Sequence, residues 1–190
     1  SRRWLFGRDA GVLLGSALIG SMGVTAAAAV DGVDEVERIV ADAAPSDSSV
    51  ADGHVVGDEL VASIDAAETA TIPLDRSEPV VIATGRDAGT PLVVDPLPGA
   101  ELAEGEFLDG GSVYFEDVDG EAGFGLVVQP LSDEGTRFTV VIHDPASPTE
   151  FRFRAAPDGG RIELVEQGAL VFDADGEFIA GVMPPWATDV

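Results

Sequence analysis

From Thr149 to Trp186 the chain reads TEFRFRAAPDGGRIELVEQGALVFDADGEFIAGVMPPW, and the two-residue period of this stretch constrains the fold more than any other feature. In Phe151, Arg152, Phe153 and Arg154 apolar and charged residues alternate, which puts both rings on one face of a strand and both guanidinium groups on the other. Pro157-Asp158-Gly159-Gly160 supplies a preset φ and two residues free of a Cβ clash, the chemistry of a turn. Asp173-Ala174-Asp175-Gly176 does the same between GALVF and EFIAGV, so the second half predicts a hairpin.

The pattern extends upstream. Strands are predicted over 59–64, 70–74, 79–83, 91–94, 112–116, 123–129, 136–143, 149–154, 161–166, 169–172 and 177–182, punctuated by glycine, proline and aspartate. That spacing implies an all-β, antiparallel, sandwich-like domain over residues 57–190. Phe138, Val140 and Ile142 are expected to share an inward face with Phe151, Phe153, Ile162 and Leu164. Residues 30–56 read as a short helix and linker: Val33, Val36, Ile39, Val40 and Ala43 recur at helical steps behind a candidate N-cap, Asp31. Pro45-Ser46-Asp47-Ser48-Ser49 then leaves that helix free to stand outside the folded body.

Residues 1–29 have the form of a signal peptide, with GVLLGSALIGSMGV as the apolar region and Ala26 to Ala29 offering small residues for cleavage near Ala29. Ser1, Arg2, Arg3, Trp4, Leu5 and Phe6 resemble a twin-arginine export motif, and an ordinary secretory signal is the alternative. A retained anchor is disfavoured because Gly15, Gly20 and Gly23 interrupt a short apolar run. The chain is therefore expected to be exported, to the cell envelope or beyond it.

Lysine is absent. Three of the ten arginines and one of the 35 acids precede residue 30, so the remainder carries seven arginines against 34 acids, a formal charge of −27. Such an excess repels phosphate backbones and anionic headgroups, which argues against nucleic-acid and membrane-surface partners. With no cysteine there is no disulfide and no thiolate chemistry, and two distant histidines make zinc improbable. His143 lies near Asp144 and Ser147, but no G-x-S-x-G elbow is present and His54 sits in a predicted loop. Calcium is the better-supplied metal. Asp117 and Asp119 in EDVDGE, and Asp173 and Asp175 in DADGE, are its candidate ligands, with Glu121 and Glu177 beside them; neither stretch is an EF-hand. Tyr114 and Trp186 are the residues suited to stacking on a sugar, too few for a platform.

Phe151-Arg152-Phe153, the strand and turn from Leu170 to Gly176, and Pro185-Trp186-Ala187-Thr188-Asp189 resemble the non-repeat β regions of large secreted actinobacterial proteins. Wall-associated proteins of the RHS, or YD-repeat, type are among these. The likeness covers about the last 40 residues, and no YD repeat is visible. In that group a further strand follows the Pro-Trp-Ala-x-Asp segment, so the resemblance implies a chain continuing past Val190. It also implies an extracellular β module without its own active site. The resulting expectation is a non-catalytic structural or interaction module, partnered by other domains of a longer chain or by envelope components. A calcium- or glycan-binding domain is the first alternative, and a secreted hydrolase with an unidentified carboxylate site is the second. No cofactor is expected, apart from calcium in the first alternative.

Overall fold

The computed structural model describes residues 23–26, 32–43, 49–84, 90–98, 100–118, 123–132, 135–144, 146–156, 159–166 and 168–189. Its elements begin with β1 (Gly23–Ala26), α1 (Val33–Ala43), β2 (Gly53–Val56), β3 (Glu59–Ser63), β4 (Glu68–Pro73) and β5 (Val80–Thr84). They continue with β6 (Leu92–Pro96), β7 (Glu106–Leu108), β8 (Ser112–Phe115), β9 (Phe124–Leu131) and β10 (Gly135–Ile142). β11 (Phe153–Ala156), β12 (Arg161–Val165), β13 (Gly168–Phe172), β14 (Phe178–Val182) and β15 (Trp186–Asp189) complete the chain.

These strands form two six-stranded sheets, in the orders β15-β1-β10-β9-β8-β7 and β11-β6-β5-β4-β3-β2, and a three-stranded sheet β12-β13-β14. The ladders are antiparallel, as short turns between successive strands require, except that β1 runs parallel to both β10 and β15. One core joins all three sheets: Leu60, Ile72, Ile82 and Val94 meet Phe115, Leu126, Phe138 and Val140, and Ala169, Val171, Ala180 and Val182 close its side. The all-β, sandwich-like body expected from the alternation is the fold that forms.

β9 and β10 are buried along their whole lengths, which simple alternation does not explain. Their second face is covered by α1, whose Val36, Ile39 and Val40 pack on Leu108, Tyr114, Val127 and Val141. Glu37 also accepts a hydrogen bond from the Asp109 amide at 2.7 Å, tying the helix to the β7–β8 turn. The expectation of a helix outside the body is thus corrected: an amphipathic helix of eleven residues is marginal alone, and burial of its apolar stripe supplies what its length cannot. The sheet likewise reaches back to Gly53, ahead of the boundary expected at residue 57, because Gly57 and Asp58 form the turn of the β2–β3 hairpin.

A second correction concerns Leu164. Phe138, Val140, Ile142 and Phe153 are buried together, and Phe151 and Ile162 pack against them, but Leu164 is 68% exposed. It has the inward parity, opposite Ala169, yet lies on a strand with no further neighbour among the described residues to cover it. β1 falls inside the stretch read as a leader. Among the described residues no helix is long and apolar enough to cross a membrane.

Candidate interaction surface

The polar residues singled out in the sequence gather where β8, β9 and β10 end. The β9–β10 ladder brings Ile142 opposite Phe124, so His143 and Gly123 continue side by side beyond it. The Gly123 carbonyl accepts from the amides of His143 (2.8 Å) and Asp144 (3.2 Å) and from the Ser147 hydroxyl (2.6 Å). Its own amide donates to Asp117 Oδ2 at 3.0 Å. Gly123 adopts a positive φ of 67°, and a Cβ there would lie 2.6 Å from Asp144 Cβ, so only glycine fits this node.

Tyr114 Oη lies 3.4 Å from His143 Nε2, at the long limit of a hydrogen bond. Burial holds the His143 pKa below its usual value and outweighs the opposing pull of Glu116 and Asp117. The same burial, reinforced by those two carboxylates, pushes the Tyr114 phenol well above its ordinary range. Both groups are therefore held neutral at pH 7. Ser147 spends its hydroxyl on a backbone carbonyl, and Asp144 Oδ1 accepts from the Ala146 amide at 2.6 Å. These bonds shape a turn; they do not line up a nucleophile, a base and an orienting acid.

The acidic turns are similarly occupied. Asp173 Oδ1 accepts from the amides of Asp175 (2.9 Å) and Glu177 (2.8 Å), fastening the β13–β14 hairpin. Asp175 is exposed, and Asp117 is engaged by the Gly123 amide. Asp119, like Arg2 and Arg3 of the export motif, lies outside the described residues. Among the described residues no group of three or more histidine or acidic side chains is arranged to hold a metal ion.

A different feature stands out on the three-stranded sheet. Leu164 and Val165 on β12, Phe178 on β14 and Met183 just beyond it are four of the seven exposed large apolar side chains among the described residues. On the outer face Phe178, 59% exposed, meets Phe172 edge-on with ring centroids 6.1 Å apart. The Arg161 guanidinium stacks over Phe172 at 4.4 Å and pairs with Glu163 at 2.8 Å. In the neighbouring row Gly181 pairs with Leu170, and no atom lies near where its Cβ would stand, which leaves an open shelf beside the rings. Residues 161–182 carry five acids and one arginine, so the patch is rimmed with negative charge.

Sequence reasoning missed this surface because alternation assigns a residue to a face without showing whether another strand lies beyond it. One signal was present: Leu164 and Val165 are adjacent apolar residues between Glu163 and Glu166, a break in alternation flanked by charges, as edge strands often show. No family model, curated protein or solved structure matches the chain.

Proposed function

We propose that the chain is an exported, non-catalytic interaction module of a secreted or cell-envelope protein, binding its partner through the sheet β12-β13-β14. The observation that carries this reading is the concentration of Leu164, Val165, Phe178 and Met183 on one small acid-rimmed sheet. Exposed apolar side chains concentrated within a polar rim are the physical signature of a protein contact. The engagement of Ser147, Asp144 and Asp173 in turn hydrogen bonds supports the non-catalytic reading. The leader-like residues 1–29 and the resemblance to the β regions of large wall-associated proteins support export.

The test is expression from the chain's own leader in a bacterial host with both export routes, followed by fractionation. The expected result is a processed chain in the envelope fraction, released into the medium by Phe178→Asp, which adds charge to the shelf without touching the core. Retention in the cytosol, or turnover in a panel of glycosidase and esterase substrates, would overturn the proposal.

A further inference from the structure

We infer that β12 is the edge at which an extended cationic peptide segment, apolar at alternate positions, adds as a fourth strand to the sheet β12-β13-β14. This rests on the interaction-module reading and names the chemistry of the partner.

Among the described residues β12 pairs with β13 alone. On its other side every second residue presents an N–H and a C=O to no strand among the described residues, which is the template used in recognition by strand addition. The core face is also left unclosed there. Moving outward across the sheet, Val182 (6% exposed) is followed by Ala169 (2%) and then by Leu164 at 68%. An added strand would cover Leu164 on the core side and Val165 on the other, continuing the apolar interior by one more row.

Most of the usual protections of a free edge are missing. β12 contains neither lysine nor proline, and its five pairs with β13 run in unbroken register; the sheet's irregularity lies between β13 and β14. Negative charge is the guard that remains, since Arg161 is already engaged by Glu163 and by the Phe172 ring. That guard is selective. It opposes a second copy of a chain whose net charge is −25 and favours a basic strand whose cations reach Glu163, Glu166 and the acids of the β13–β14 turn. β2 also exposes two valines at an edge, but the residues preceding it are laced to β9 through the Val50–Leu131 bridge and the Ala51 amide bond to Pro130. β12 therefore offers the freer approach.

The experiment is a titration of the 15N-labelled chain with three capped hexapeptides: Lys-Val-Lys-Val-Lys-Val, Glu-Val-Glu-Val-Glu-Val, and the first with alternate peptide nitrogens methylated. The lysine peptide is expected to shift the amides of Arg161 to Val165, with affinity falling as salt is raised. The other two are expected to leave them unmoved. Leu164→Lys, at an exposed site where the fold is not at risk, should weaken binding about tenfold, the factor for losing one leucine contact and adding a like charge. Glu166→Lys, also exposed, should lower affinity while leaving Leu164 in place. Shifts centred on β2, an equal response to the glutamate peptide, unchanged binding by Leu164→Lys, or self-association through β12 would each overturn the inference. If such a result accompanies envelope association that Phe178→Asp still abolishes, strand addition fails while the interaction module stands.

Discussion

Gly125 illustrates how a single absent side chain sets the geometry of the polar cluster. A Cβ there would stand 2.5 Å from a ring carbon of Tyr114, which packs against Gly125 and brings its hydroxyl to His143. Gly125→Ala is expected to destabilise the fold by about 1–3 kcal/mol through overpacking, measured by urea unfolding. His143 carries a pH dependence of definite sign. Its folded pKa is lowered, so between that value and the unfolded value, about 6.5, the unfolded chain binds more protons and stability falls as pH falls. Replacing it with glutamine should remove this slope, so the gap between wild type and His143→Gln closes toward the acid side of that window. Glu68 has the opposite sign. Burial and the neighbouring Asp65 raise its pKa, so the stability lost to ionising it is regained as pH drops through its folded value. Glu68→Gln is expected to raise the urea midpoint at pH 7 and to change it little in acid; a lower midpoint at pH 7 would contradict that account.

At the scale of elements, α1 is worth most where it contributes least length. Ile39 is 1% exposed between the helix and β10, so Ile39→Ala should cost about 2–5 kcal/mol, whereas Leu164→Ser on the exposed edge should change stability by no more than about 0.5 kcal/mol. Comparable losses in thermal unfolding of both variants would contradict the packing described. The hairpins were legible because their information is local: alternation in GALVF and EFIAGV around the Asp173 turn specifies β13 and β14 without reference to the rest of the chain. β7, three residues long, is too short to show a period. Docking of α1 was illegible for another reason, since its apolar stripe states that something must be covered but not what, and Val127 and Val141 are the answer only once β9 and β10 have paired. The polar candidates divide the same way: Asp173 was readable as a turn residue, while the engagement of Ser147 with Gly123, 24 residues away, depends on the assembled ladder.

The whole molecule is a strongly anionic body with a sparse set of arginines, and among the described residues several are spent on ion pairs, Arg38 with Glu35 and Asp42 along the helix, Arg76 and Arg154 with Asp95 across the fold. Self-repulsion at that charge is relieved by screening, so raising sodium chloride from 0.05 to 0.5 M, on the order of a threefold shortening of the screening length, should raise the melting temperature by roughly 5 °C. A melting temperature that falls with salt would mean that the ion pairs outweigh the repulsion. The first strand bears on the proposed removal of the leader. Gly23 faces Thr139 on one side and Trp186 on the other, and all three segments point the same way. Excision at Ala29 would unzip a seam in mid-sheet, yet β15 already has the polarity that β10 would then need. A sideways step of about 4.8 Å, with no reversal of the chain, would close the breach and make the removed piece a placeholder for the tail.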